Sequence, residues 1–410
     1  MRILHLVHQY PPDHIGGTEL YTQALANAQA ARGHTVTVFS PSIAAAASTE
    51  EGVTIQRVPL GARTASAIFF STFKQAALNE AWQMVLTQTR PDLVHVQHLM
   101  GVPAAVIDDL RRRHIPYLVT LHDYYYACAN AMLLTNYDHS VCGGPRAWIN
   151  CGHCALARAG RDRLAVLSPG LTPLLAYRHL RLRRVIDQAR CLIAPTDFVR
   201  GVYARLLRIT PNRIRVIPHG VHLPDRAAAP QRAARADLHI AYIGGIAPHK
   251  GVHVLIDAVN QLSHTARLTI YGDLKAQPAY VAQLRVRARH PRIEFAGRLP
   301  HARLYDVLSQ IDVIVVPSVW YETSALIVQE AGAARVPVLA SDLGALRETT
   351  VNGGGLTFPA GDAAALQALL QHLIDDPVQL DRLRANLKAP RSMDEHVHEI
   401  ESIYREVIAA

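Results

Sequence analysis

Ile311-Asp-Val-Ile-Val-Val-Pro-Ser318, Trp320-Tyr-Glu-Thr-Ser-Ala-Leu-Ile-Val-Gln-Glu330 and Val336-Pro-Val-Leu-Ala-Ser341 follow one another and read as strand, loop, helix and strand. The flanking apolar runs are short and rich in β-branched residues, as in buried strands. The central stretch carries good helix formers from Ala325 to Ala334. Thr323 or Ser324 is placed to cap that helix, Glu322 lies in the loop before it, and Glu330 falls about two turns in. Free N–H groups at Ser324, Ala325 and Leu326 would add partial positive charge beside Glu322, and such a helix start can cradle phosphates. Two solvated surface glutamates would fit the same letters.

The rest of the chain repeats this alternation. At 410 residues it exceeds what one core usually supports, which predicts two domains of about 200 residues each. Half the residues are hydrophobic and 18% are charged, so both domains can bury a core and a disordered chain is excluded. The net charge of +9 suits an anionic ligand, a nucleic acid or an anionic membrane surface equally. The basic residues are scattered without an aromatic-basic platform, which weighs against nucleic acid. No secretory leader or membrane-spanning run is read, so a cytoplasmic protein, in peripheral contact with a membrane at most, is expected.

In the first half, Arg2 to Val7 reads as a strand that ends in Gln9-Tyr-Pro-Pro-Asp-His-Ile-Gly16-Gly17; Thr18 is expected to cap a helix that stops at Gly33. The glycine pair allows a ligand to approach the backbone, or is turn chemistry alone. Further strands read at Leu93 to Gln97, Tyr117 to Leu121, Cys191 to Ala194 and Ile214 to Ile217. His98 and His122 stand at strand carboxyl ends, where open α/β sheets bind ligands, and His122 is the better candidate. Residues 222–236 lose the apolar period and read as a linker.

The second half restarts with a strand, His239 to Ile243, the loop Gly244-Gly-Ile-Ala-Pro-His-Lys250-Gly251 and a helix from Val252 to Leu262. Strands follow at Leu268 to Tyr271, Ile293 to Ala296, Val313 to Val316 and Val338 to Ala340. The fold class is therefore α/β, with two doubly wound units. Neither first strand leads into Gly-x-Gly-x-x-Gly, so a dinucleotide dehydrogenase loses its main support. Lys250, between glycines in a strand-to-helix loop, is a candidate point charge for phosphates.

Glu322-x7-Glu330, Pro317-Ser318, Val336-Pro-Val338, Gly16-Gly-Thr-Glu19 and His249-Lys-Gly251 together resemble the retaining glycosyltransferases of family 4, which have the GT-B architecture. The resemblance reaches from Gly16 to Gly361-Asp362. It implies two Rossmann-like domains facing a cleft: an acceptor-binding domain over 1–221, a nucleotide-sugar-binding domain over 237–390, and a terminal helix over 391–410 crossing back to the first domain. It further implies transfer of a sugar from a nucleoside diphosphate sugar to a carbohydrate or lipid-linked acceptor, as in surface polysaccharide or glycolipid synthesis, with configuration retained through same-face attack. Glu322 would contact the donor sugar and phosphate region, Glu330 the ribose hydroxyls, Lys250 the leaving diphosphate, and His122 the sugar. Gly16 and Gly17 would approach the phosphates or the acceptor. No divalent catalytic metal is implied. The family commonly places Arg where this chain has Gly245, so a phosphate-binding cation is missing; Arg298, before Leu299 in a segment near the nucleobase, could replace it. That gap leaves a second reading open, a binding protein that has lost catalysis.

Four of the five cysteines, Cys128, Cys142, Cys151 and Cys154, crowd into a segment spanning 127–157. In a cytoplasmic protein the cluster favours a structural zinc or an iron–sulfur cluster stapling this insertion, over reduced thiols or disulfides. Cys191 starts an apolar strand and reads as core. The basic stretch Tyr177 to Ile186 reads as a solvated helical face, or as one touching anionic lipid.

Overall fold

The computed structural model describes residues 1–43, 47–224 and 237–410. The chain divides into two compact units, Met1–His219 with Met393–Ala410, and Gly220–Ser392. Most of the expected linker, 225–236, lies outside the described residues.

Unit 1 holds a sheet of eight strands among the described residues: β1 (Arg2–Leu6), β2 (Thr35–Ser42), β3 (Ser48–Glu50), β4 (Val53–Pro59), β5 (Leu93–Val96), β6 (Tyr117–Thr120), β7 (Cys191–Ala194) and β8 (Ile214–Val216). Their order is β3-β4-β2-β1-β5-β6-β7-β8. Every pairing is parallel except the antiparallel β3–β4 edge. The central strands β1, β5, β6 and β7 are buried on both faces, which is why their sequences run apolar instead of alternating. Sequence reading missed β3 and β4. Ser48-Thr-Glu50, the edge strand, is polar throughout, and β4 beside it mixes polar and apolar residues.

The terminal helix Met393–Ala409 belongs to unit 1, where Val397, Ile400, Ile403, Tyr404 and Val407 join Ile3, Val7, Tyr21 and Leu25 in one apolar cluster. Each Å² of apolar surface buried along this seam contributes about 25 cal/mol to stability. The helix Gly17–Ala31 begins one residue before the expected cap, with extended Gly16 at its N-cap and no side-chain cap, so Thr18 lies inside the first turn and is not the cap.

Unit 2 has β9 (Leu238–Ile243), β10 (Ala266–Tyr271), β11 (Ile293–Gly297), β12 (Val313–Val316), β13 (Val338–Ser341) and β14 (Leu356–Phe358) in the order β11-β10-β9-β12-β13-β14, all parallel. The expected strand–loop–helix–strand at 311–341 is β12, the helix Leu326–Ala333 and β13. The helix from Val252 ends at Val259, short of Leu262. Reversal of strand order between β9 and β12 puts the loops after both strands at one crevice, the position at which open α/β sheets bind ligands.

Candidate active site

In unit 2, Lys250 ends a single 3-10 turn, Pro248–Lys250, and Gly251 follows in the left-handed region at φ +70°. A Cβ on Gly251 would lie 1.8 Å from the carbonyl oxygen of Pro317, so only glycine lets this loop press against the end of β12. That approach sets Lys250 Nζ 2.7 Å from Glu322 Oε1 and 5.1 Å from the Trp320 ring centre. Ser318 Oγ donates to the same carboxylate oxygen at 2.7 Å. Glu322 is 7% exposed, a buried group instead of the loop-rim one expected from sequence. Burial pushes its carboxyl up, but the Lys250 charge and the hydrogen bonds from Lys250 and Ser318 outweigh that and hold it below the ordinary glutamate value. The result is an ionised carboxylate and a cation fixed side by side.

The helix Leu326–Ala333 starts after an extended Ala325 and has no side-chain cap. The expected Thr323 or Ser324 cap is therefore not formed. Ser324 Oγ is buried without a hydrogen-bond partner, because the chain stays extended one residue further than propensity suggests. Glu330 is the fifth residue of the helix, just over one turn in instead of two, and is 9% exposed. His301 Nε2 lies 2.9 Å from its Oε1, and that hydrogen bond raises the imidazole above its ordinary value. Arg298, exposed, pairs with Asp273 at 3.1 Å. Leu299 packs against the cluster containing Ile314 and Val316. Gly245 accepts a hydrogen bond from Tyr242 Oη at 2.6 Å on its carbonyl, and a Cβ there would meet nothing within 4 Å.

In unit 1, Gly16 and Gly17 open the first helix, at the carboxyl end of β1. Glu19 in its first turn is buried, which raises its carboxyl, and lies 3.5 Å from His8 Nε2. The His8 ring sits 4.1 Å from that of His98, and His98 Nε2 is 2.9 Å from Asp123 Oδ2. His122 is buried, with Nε2 at 2.7 Å from Gln97 Oε1 and its ring 5.0 Å from that of Tyr21. Burial, then the nearby His219, holds it far below the ordinary histidine value, so it is a neutral hydrogen-bonding group and not a cation. Sequence reading missed Ser318, His301, Gln97, His8 and Asp123. Only Ser318 left a local signal, a hydroxyl four residues before Glu322.

The four clustered cysteines all line one cavity, yet among the described residues no three His, Cys, Asp or Glu side chains are placed to hold an ion. Each thiol instead meets an asparagine: Cys128 Sγ donates to Asn130 Oδ1 and Cys151 Sγ to Asn150 Oδ1, while Asn136 Nδ2 donates to Cys154 Sγ and Asn150 Nδ2 to Cys142 Sγ. The expected metal set is thus not assembled in this arrangement. Burial, and then the neighbouring thiols, pushes Cys151 up to about 12.

Residues 15–224 match the model of Glycosyltransferase Family 4, and residues 237–376 that of Glycosyl transferases group 1. The chain belongs to glycosyltransferase family 4. This glycosyltransferase is 27% identical over 391 residues to glycogen synthase of Mycobacterium tuberculosis, an alignment covering 93% of this chain and 88% of the relative. It is 30% identical over 244 residues, 52% of its length and 56% of the relative's, to D-inositol 3-phosphate glycosyltransferase of Kineococcus radiotolerans. Its fold is that of sucrose-phosphate synthase of Thermosynechococcus elongatus, at a TM-score of 0.73 with 22% identity and 99% of each chain covered. The Anabaena protein HepE, solved with UDP and glucose, matches at a TM-score of 0.69 with 16% identity, again over 99% of each chain. The glycosyltransferase is accordingly a transferase of GT-B fold, built from two Rossmann-like α/β units.

Proposed function

We propose that this enzyme moves a sugar from a nucleoside diphosphate sugar to an acceptor hydroxyl with retention of configuration. The observation that carries the reading is the fixed Lys250–Glu322 pair at the carboxyl end of the unit 2 sheet. As the bond to the sugar breaks, negative charge grows on the leaving diphosphate, and Lys250 with the N–H groups at the start of Leu326–Ala333 supplies preorganised positive charge to it. Glu322, released from Lys250 by the arriving phosphates, accepts hydrogen bonds from the donor sugar. Glu330, held by His301, accepts from the ribose hydroxyls.

The leaving phosphate takes the acceptor's proton on the face where the acceptor attacks, so the new bond forms on the side the old one left. This reading needs no carboxylate nucleophile, unlike retaining glycoside hydrolysis with its two carboxyl groups across the scissile bond. It also needs no divalent ion, because the cation and the helix start neutralise the diphosphate. Neutral His122 and the Gly16-Gly17 backbone serve the sugar and the acceptor from unit 1. HepE with bound UDP and glucose supports a uridine nucleotide donor.

Incubation with UDP-glucose and related donors tests the reading through release of UDP. Wild-type protein is expected to turn over slowly on water and faster with acceptor, and Glu322→Ala to lose this while its circular dichroism is unchanged. Saturable donor binding with no hydrolysis of any donor would favour the non-catalytic alternative, for which Gly245 is the specific support.

Membrane-surface contact is proposed for unit 1, where the exposed Val166 and Leu167 closely follow the exposed Arg161 and Arg163 in the chain. No helix among the described residues is long and apolar enough to cross a membrane. A metal-loaded form of the cysteine segment is favoured by one observation, that all four thiols line the same cavity. About one equivalent of zinc, or iron with acid-labile sulfide, would support it; metal-free protein with all four thiols titratable after unfolding would overturn it.

A further inference from the structure

Within unit 1 a cavity of about 550 Å³ lies among the helices Ala65–Ser71, Ile149–Arg158 and Ser168–Gln188 and the segment 128–136. That is the size of a small-molecule site, about 300–1,000 Å³. Its walls are largely apolar, with Phe69, Met100, Leu171, Leu174 and Leu175 prominent.

Three arginines, Arg158, Arg161 and Arg178, line the cavity without an ion pair among the described residues, and of these only Arg178 is buried. Arg178 is 4% exposed, and among the described residues no carboxylate pairs with it. Nη2 donates to the Tyr125 carbonyl at 3.3 Å, the guanidinium lies 4.6 Å from the Tyr125 ring centre and 5.7 Å from that of Phe69, and Nε is buried with no partner. Guanidinium stays charged at any physiological pH. A buried cation facing only aromatic rings and one carbonyl recovers part of its lost hydration, and an anion entering the cavity would supply the rest.

The cavity also adjoins the polar cluster at the ends of β5 and β6. Tyr125 and Met100 line it, and the same two residues hold His98: the Tyr125 ring lies 5.1 Å from the imidazole, and the Met100 N–H donates to Nδ1 at 3.0 Å. His98 in turn pairs with Asp123.

We propose that this cavity receives the apolar chain of an amphiphilic acceptor whose phosphate group pairs with Arg178, which makes the acceptor class lipid-linked. The acceptor's sugar or hydroxyl end is then directed to the His98–Asp123 side. This assignment of substrate class rests on the transferase reading above, but chain binding is measurable without sugar transfer.

The test titrates the full chain, without donor, with dodecyl phosphate below its micelle concentration, alongside octyl phosphate, dodecanol and inorganic phosphate. Binding of UDP is measured in parallel, so that a failed donor reading is seen separately. Wild-type protein is expected to bind dodecyl phosphate saturably, and octyl phosphate weaker by on the order of 10²-fold. Arg178→Gln should cost dodecyl phosphate at least about tenfold and leave dodecanol unchanged. Leu174→Trp, which fills the cavity from a partly buried position, should abolish binding of both dodecyl compounds while UDP binding persists. The proposal is overturned by no saturable dodecyl phosphate binding, by indifference to chain length, by inorganic phosphate binding as tightly, or by Leu174→Trp binding like wild type. Should Arg178→Gln fail to fold, the chain-length series and Leu174→Trp decide alone.

Discussion

Lowering the pH from 8 to 5 should unfold unit 1 through its interior histidines. His5, His8, His95, His122 and His219 are all buried, and burial is the largest cause holding each below the ordinary value of 6.5. His5 is lowered to about 4 and His219 to about 3. Burial keeps them neutral, and several are held by neutral partners, as in the chain from His122 through Gln97 to His5 and on to Gln29 and Tyr404. The unfolded chain takes up protons below about pH 6.5 while the native unit does not, so stability is full above that value and falls as the pH drops toward the folded values. At pH 5 His5 and His219 have each cost about 2 kcal/mol, at about 1.4 kcal/mol per pH unit. Together they cost about 4 kcal/mol, a large part of the roughly 5–15 kcal/mol that holds a domain folded, and His8, His95 and His122 act in the same direction. Within unit 1, Glu19, whose value is raised, runs the other way, one group against five; His301, also raised, belongs to unit 2. Glu322, lowered from 4.5, loses its contribution only below the window. Urea unfolding followed by circular dichroism at half-unit steps measures the slope, and His219→Gln should reduce it by about one proton between pH 6 and 5. A urea midpoint that does not move between pH 8 and 5 would refute the reasoning.

Gly251→Ala should destabilise unit 2 by about 2–4 kcal/mol, since it combines a positive φ with a Cβ driven into the Pro317 carbonyl; an unchanged thermal midpoint would show that the loop has room. Gly245→Arg meets open space and supplies the cation that the family pattern has there, so it should lower the KM for the donor by about tenfold; a raised KM would mean the position does not face the phosphates. Vesicles with anionic phospholipid should co-float with the protein at low salt, and Val166→Asp with Leu167→Asp should release it; equal flotation of the double variant would remove the membrane contact.

The two doubly wound units were legible because most of their strands are continuous apolar runs, separated by stretches of good helix formers. That information lies within ten or so neighbouring residues. The same holds for the Glu322-x7-Glu330 spacing and the Lys250 loop, which by themselves nominated the donor site. What the sequence by itself did not contain was the partner of each group. Lys250 meets Glu322 across 72 residues and His122 meets Gln97 across 25, pairings set by which strands lie side by side. Tertiary packing also changed one local expectation. Arg178, in a stretch whose charges suggest a solvated face, points into the cavity because Leu175, Leu182 and Val185 of the same helix turn that side inward. The four cysteines line one cavity wall, where neighbouring asparagines that no spacing rule would pick out hydrogen-bond to their sulfurs. Composition and periodicity determined the layers and the residue types at their ends; only the folded chain decided which of those residues are charged, which are neutral, and which face an opening.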